Sequence, residues 1–341
     1  MEDPYSARFH LCSPGRHPGS NLPVEGLRMS QAFAHEPVMT AEIVAIFAPV
    51  PPGTVLDATV GGGGHAAALL AAHPQLRVVG LDRDPDAAAA AAQALAPWAG
   101  RVSLHHARFD RLSEVAARLG LARLSGALFD LGVSSPQLDR PERGFSYRND
   151  APLDMRMDPT QTRTATDVVN GWAERDLASL LRANGEGRFG GRIARAIVAH
   201  RPVTTTVQLA AVVRDAIPAA TRRTGGHPAR RAFQAIRIAV NDELDVLPGA
   251  LDQAIDLLAP GGRIAVLAYH SGEDRIVKDR FRTAETGGCE CPPGLPCACG
   301  AEPRVVPVFR GVRRPGPEEL GRNRRAESAR LRAAERLETA R

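Results

Sequence analysis

The stretch Asp57-Ala58-Thr59-Val60-Gly61-Gly62-Gly63-Gly64-His65 constrains the fold of this chain more than any other. It follows the apolar pair Val55-Leu56 and leads into Ala66-Ala67-Ala68-Leu69-Leu70, a run that favours helix. A strand, a glycine turn and a helix start, in that order, let a backbone approach a ligand closely. Glycine has no Cβ in the way, and the first helical N–H groups stay available to the ligand. Asp82 comes eighteen residues past Gly64 and closes the apolar run Val78-Val79-Gly80-Leu81. An acid at the end of the second strand is where the ribose hydroxyls of a nucleoside cofactor are usually held. The glycines alone do not choose the cofactor. Gly61, Gly63 and Ala66 also satisfy the G-x-G-x-x-[GA] spacing of dinucleotide enzymes.

The flanking pattern fixes the fold class. Thr54–Thr59, Arg77–Asp82, Val102–His106 and Gly126–Leu131 read as strands. Helices are expected between them over His65–Ala72, Ala87–Ala96 and Asp110–Leu119, the last capped by Asp110. Upstream, Thr40 is the expected N-cap of a helix over Ala41–Phe47. Apolar strands alternating with helices predict a parallel sheet covered on both faces. The rhythm then breaks. Helical patterns near Asp167–Val169, Glu174–Ala183, Gly190–Ala199, Thr206–Ala216 and Ala232–Leu247 predict a helical insertion after strand four. The sheet resumes after a helix over Gly249–Leu258 and the turn Pro260-Gly261-Gly262, with strand Arg263–Tyr269 and an edge strand expected at Arg304–Phe309.

Composition excludes several classes. No apolar run approaches the roughly 18 residues that a membrane span requires. The N-terminus lacks the layout of a signal peptide, so the cytoplasm is the default location. Residues 1–28 are rich in Pro, Gly, Ser and His without apolar periodicity, and read as disordered or as a mis-annotated start, with Met29 as the alternative. The formal net charge of +5 is concentrated at the end, where Arg304–Arg341 holds eleven arginines against five glutamates. A basic segment of this kind is expected to reach for phosphates. Lys278 is the only lysine, however, so part of the arginine richness is a bias of composition.

The longer motifs decide between cofactors. Nothing around Lys278 resembles the Tyr–Lys acid of a nicotinamide enzyme. In the S-adenosylmethionine fold, by contrast, Asp57 would lie near the methionine portion, Asp82 at the ribose and Asp130 near the transferred methyl. The chain carries His35-Glu36-Pro37-Val38-Met39, Asp57-x-Thr59-x-Gly61-x-Gly63-Gly64-His65 and Leu81-Asp82-Arg83-Asp84. It continues with Asp130-Leu131-Gly132-Val133-Ser134-Ser135-Pro136-Gln137-Leu138-Asp139, Arg143-Gly144-Phe145-Ser146 and Pro152-Leu153-Asp154-Met155-Arg156-Met157. Phe233-Gln234-Ala235-x-Arg237-Ile238-x-Val240-Asn241-x-Glu243-Leu244 and Tyr269-His270-Ser271-x-Glu273-Asp274-Arg275 complete the set. Over residues 33 to 325 the chain closely resembles the RsmH (MraW) family of ribosomal small-subunit RNA cytosine-N4 methyltransferases.

The resemblance implies a Rossmann-like α/β S-adenosylmethionine-dependent methyltransferase sheet, formed by residues 29–137 and 241–312. Residues 138–240 would be a helical insertion for RNA recognition and 313–341 a basic tail. It implies transfer of a methyl group to the exocyclic amine of a decoding-region cytidine in 16S rRNA of the small ribosomal subunit. The cofactor contacts it implies are Gly63, Gly64, His65, Asp82, Phe109, Asp130 and Gln137. Asp130, or the carbonyls of the Leu131-Gly132-Val133 loop, is the expected hydrogen-bond acceptor for the amine, and Tyr269 or His270 the expected platform for the base. One position departs from the family pattern: Gly272 stands where a bulkier residue is expected, which would loosen the loop after strand five. Arg222-Arg223 and Arg230-Arg231 are further phosphate candidates on the insertion.

Cys289-x-Cys291 and Cys297-x-Cys299 place four thiols within eleven residues of a Pro- and Gly-rich loop, a layout that can enclose a structural zinc ion. Two further expectations stay open. One is a homodimer; the other is a non-catalytic RNA-binding or ribosome-assembly factor on the same scaffold. Intact Asp57, Asp82 and Asp130 count against the latter, since a factor without chemistry has little reason to keep a cofactor pocket.

Overall fold

Val55, Leu56, Val78, Leu81, Leu128, Phe129, Ile264 and Val266 are all buried, and such two-sided burial requires a sheet covered on both faces. The computed structural model describes residues 37–219, 227–292 and 298–338. Residues 1–28, His35-Glu36, Arg222-Arg223 and Cys297 lie outside them. The strands are β1 (Gly53–Asp57), β2 (Leu76–Asp82), β3 (Val102–His106), β4 (Leu124–Asp130), β5 (Leu258–Ala268), β6 (Val305–Pro307) and β7 (Arg330–Arg336). They form one sheet in the order β3-β2-β1-β4-β5-β7-β6. The first five strands are parallel, and β7 runs antiparallel to both β5 and β6. This is the expected Rossmann-like methyltransferase fold, with helices inserted after β4.

Register brings the chemistry to one edge. Asp57 pairs with Gly80 and Leu128, Asp82 with His106, and Asp130 with Leu267. The acids that end β1, β2 and β4 therefore share the carboxyl edge of the sheet. The strand order reverses between β1 and β4, and in open α/β sheets ligands bind at such a switch point.

One face of the sheet packs Leu56, Phe129 and Val266 against Leu247, Leu251 and Ile255. The other packs Val55, Leu128 and Leu267 against Ile43 and Phe47 of α1 (Thr40–Phe47) and against Leu331 of β7. The helices between β4 and β5 enclose a core of their own, built on Val168, Leu181, Ile193, Ile197, Leu209 and Ile236. No described helix is long and apolar enough to cross a membrane.

Several local expectations are corrected. The C-terminal segment is not simply a basic tail: Arg330–Arg336 forms β7, buried through Leu331, Ala333 and Ala334. Its arginines are partly engaged within the fold, with Arg332 Nε donating to Asp274 Oδ1 at 2.7 Å. The helix expected over Ala232–Leu247 is two helices, Arg230–Asn241 and Glu243–Leu257, broken at Asp242 with φ 51°. Thr40 does not cap α1. Met39 occupies the N-cap with φ 54°, and the Thr40 hydroxyl donates to Pro37 O. Asp110 is likewise not a cap: it lies in a 3-10 turn ahead of the helix Leu112–Arg118, and its carboxylate receives Arg108 at 2.7 Å.

Candidate active site

The turn after β1 is shaped by backbone conformation. Gly61 and Gly63 have φ 52° and 83°, values in the left-handed region that side chains disfavour. A Cβ on Gly63 would also press within 3.1 Å of Leu95, and one on Gly64 within 2.3 Å of Pro37. Both glycines therefore allow close packing of the turn and of α2 (Gly64–Ala72), which begins there. Asp82 clasps the same turn. Its Oδ2 accepts from Gly61 N at 2.9 Å, and its Oδ1 from Asp84 N at 2.8 Å. Burial pushes the Asp82 carboxyl up to about 6, against the pull of those two amides.

Asp57 is only 1% exposed, so its carboxylate does not face the cleft, and its Oδ1 accepts from Thr59 N at 3.2 Å. Burial raises its pKa to about 7, although His65 and the Thr59 amide draw it down. Thr59 performs a second task that the sequence did not reveal: its hydroxyl accepts from Asp130 N at 2.6 Å, which ties the end of β4 to the turn after β1.

Asp130 is the centre of a cluster. Tyr269 Oη donates to Asp130 Oδ1 at 2.7 Å, and His65 Nε2 lies 3.4 Å from Asp130 Oδ2. Burial alone would lower the pKa of His65, but the carboxylates of Asp130 and Asp57 more than offset it and the net shift is upward. Burial and the neighbouring Asp130 raise Tyr269 well above the ordinary phenol value, so its hydroxyl remains a donor. Among the described residues, His65 Nδ1 and the Ser134 hydroxyl are buried without a hydrogen-bond partner, while His65 Nε2 faces Asp130. Buried polar atoms are nearly always satisfied, so these two mark positions where a ligand's polar groups fit.

His270 is used differently from the expectation. It caps the helix Ser271–Thr286, its Nδ1 accepting from Gly272 N at 3.2 Å, and its Nε2 lies 3.1 Å from Glu273 Oε1. Glu273 closes the capping box by accepting from His270 N at 3.2 Å, and the same oxygen accepts from Tyr269 N at 2.8 Å. A Cβ at Gly272 would come within 3.1 Å of the His270 ring and 3.3 Å of Leu244, so this glycine packs tightly against the cap instead of loosening it.

Gln137 is 4% exposed, and both ends of its amide are engaged. Its Oε1 accepts from Ser134 N at 3.0 Å, and its Nε2 donates to Asp84 Oδ2 at 2.9 Å. Arg143 Nη2 donates to the same Asp84 oxygen at 3.0 Å and to the carbonyls of Arg156 and Met157. Asp84 thus joins the end of β2, the loop after β4 and the insertion. Its only signal in the sequence was its place in Leu81-Asp82-Arg83-Asp84. Phe109 packs edge-on against Phe129, with ring centroids 5.9 Å apart.

Gly64, His65, Asp82, Phe109, Asp130, Gln137, Tyr269 and His270 all line one cavity of about 1250 Å³. Gly63 stands behind it. From the insertion, Tyr147, Arg148, Arg230 and Phe233 line the same cavity, and Arg325, Glu327 and Ser328 close it from the C-terminal segment. Tyr147 stacks on His227 at 4.4 Å and meets Phe233 edge-on. The cavity therefore runs from the carboxyl edge of the sheet to an aromatic and basic wall on the insertion. Cys289, Cys291 and Cys299 lie on a separate loop, with their sulfurs within 4.8 Å of one another.

Comparison with known proteins agrees with this geometry. Residues 32–337 match the family model described as the MraW methylase family. A ribosomal RNA small subunit methyltransferase H of Thermobifida fusca is 53% identical over 316 residues, covering 91% of this chain and 95% of its own. The protein of the same name from Frankia alni is 55% identical over 313 residues, with 89% and 95% covered. That of Symbiobacterium thermophilum is 51% identical over 313 residues, with 90% and 98% covered. With the family model spanning nearly the whole described chain and relatives matched at more than half identity, the chain belongs to the MraW methylase family.

Proposed function

We propose that this chain transfers a methyl group from S-adenosylmethionine to the exocyclic N4 amine of a decoding-region cytidine in 16S rRNA of the small ribosomal subunit. The observation that carries this reading is the Asp130 cluster at the carboxyl edge of β4, set between the glycine turn and the wall of the insertion. The names of the relatives supply the small-subunit RNA, and the motifs shared with the cytosine-N4 methyltransferases supply the atom.

The residues fit the cofactor. A glycine turn without side chains, the Asp82 carboxylate at its side and the unsatisfied buried His65 Nδ1 and Ser134 hydroxyl suit a ligand with ribose hydroxyls and charged methionine groups. S-adenosylmethionine supplies an electrophilic methyl group on a sulfonium. Gly61 to Gly64 and Asp82 hold the nucleoside side, Phe109 offers an apolar ring, and His65 faces the methionine side.

Cytosine N4 is a poor nucleophile because its lone pair is delocalised into the ring. The chain's own task is to hold the amine in line and to stabilise it as it pyramidalises. Asp130 accepts a hydrogen bond from the amine and takes up its proton. Tyr269, which stays protonated, donates to the other carboxylate oxygen and fixes its direction. His270 and Glu273 act behind Tyr269, by holding the helix start that follows it. The rings on the insertion side, Tyr147 foremost, serve the RNA base better than His270, whose ring is occupied by the cap.

Calorimetry with S-adenosylhomocysteine tests the cofactor half of the reading. The wild-type chain is expected to bind one equivalent, and Asp82→Ala to weaken binding by about 100-fold. Absence of binding to the wild-type chain would remove the proposal.

A further inference from the structure

The loop between the helix Ser271–Thr286 and β6 has no part in the site just described. Its base is anchored: Cys289 N donates to Thr286 O at 3.2 Å, Arg304 N donates to Ala284 O at 2.8 Å, and a Cβ on Gly287 would collide with the Glu302 backbone. Beyond that base, the described residues from Cys289 to Pro303 include no buried side chain. Apolar burial by the described residues of this excursion therefore does not hold it in place, and an ion bridging its thiols would. Within it, the sulfurs of Cys289, Cys291 and Cys299 nevertheless converge to within 4.8 Å of one another.

We propose that Cys289, Cys291 and Cys299 bind a structural zinc ion that closes this loop on itself above its anchored base. In a tetrahedral thiolate site with Zn–S near 2.3 Å, the sulfurs lie about 3.8 Å apart, so the observed cluster closes onto an ion with shifts of about 1 Å. Three thiolates supply three of the four donors. Cys297, the fourth in the sequence motif, lies outside the described residues, and the proposal stands on the other three. Binding displaces the thiol protons and leaves the sulfurs unoxidised. A disulfide is the covalent alternative to the ion, and it would oxidise sulfurs that zinc leaves as thiolates. The site is independent of methyl transfer, because none of its residues lines the large cavity.

The test uses the full chain, untagged and purified under reducing conditions without chelator. Elemental analysis is expected to find about one zinc per chain, and Cys291→Ser/Cys299→Ser to carry under about 0.2. Cobalt loaded into the wild-type chain should show thiolate-to-metal charge-transfer absorption that the variant lacks. Should the variant fail to fold, chelation of the wild-type chain gives the same answer: loss of zinc accompanied by new protease nicking confined to residues 288–303. A wild-type chain that takes up no zinc, a double variant that retains it, or an intact mass two daltons light from a disulfide would each overturn the proposal.

Discussion

Asp130 does little by itself; its neighbours determine what it does. With Tyr269 donating to one oxygen and His65 beside the other, the carboxylate is held in direction and stays available on its cavity side. Tyr269→Phe removes the donor but keeps the ring, so kcat is expected to fall by about tenfold, or about 1.4 kcal/mol, with S-adenosylhomocysteine affinity unchanged. A Phe variant with unaltered kcat would exclude the positioning role. Asp57 makes a prediction of a different kind. Burial raises its pKa from 3.8 to about 7, so between those values the folded chain holds a proton that the unfolded chain has released. Stability attributable to this residue is therefore greatest at low pH and falls as pH rises through about 7. Asp57→Asn keeps an acceptor for Thr59 N and removes the titration. Relative to wild type it should be more stable at pH 8, by up to about 4 kcal/mol, with the gap closing toward pH 4. Urea unfolding at both pH values measures this, and a gap that does not change with pH would contradict the assignment.

The elements explain why some of this was legible beforehand and some was not. β3 was predicted with its observed limits, and β1, β2 and β4 to within two residues at each end, because a parallel sheet writes long apolar runs between glycine turns. The acids closing those runs were legible for the same reason. β7 was missed. Its buried positions are Leu331, Ala333 and Ala334, interleaved with arginines whose charge signals a solvated tail, and small residues give a weak alternation. The break at Asp242 was passed over although Asn241-Asp242 are poor helix formers, because apolar positions at helical spacing continue on both sides of it. The bidentate pairing of Arg237 with Glu243 across the break, at 2.8 Å, holds the corner and appears only in three dimensions. Hydrogen-bond ties such as Thr59 to Asp130 and Asp84 to Gln137 and Arg143 are long-range, so single-residue spacing could not announce them. Because β7 separates β5 from β6, a chain ending at Ala329 would expose the β5 edge and should fail to give a soluble, cooperatively melting protein. Circular dichroism and size exclusion would show it. A soluble, two-state truncated chain would mean that the segment is a tail after all.

At the scale of the whole molecule, two cores meet along one cavity. The sheet supplies the acids and the glycine turn, and the insertion supplies rings and arginines. Asn241 fastens the two. It is 1% exposed, receives Met157 N at 2.8 Å through its side chain, and its backbone carbonyl accepts from Arg83 at 2.9 Å. The division of labour follows from what each part can bury. A Rossmann-like edge offers carboxylates to a small ligand, while the helical body adds Tyr147, Arg148, Arg230 and Phe233 to the wall of the same cavity. Under the proposed function, these two surfaces deliver one methyl group to one amine. The direct measurement is transfer of labelled methyl from S-adenosylmethionine to small ribosomal subunits that lack the modification, followed by digestion and nucleoside mapping. The label is expected as N4-methylcytidine at a single decoding-region position, with none in the Asp130→Ala reaction. Label on another atom or another nucleotide, or undiminished transfer by Asp130→Ala, would contradict the account.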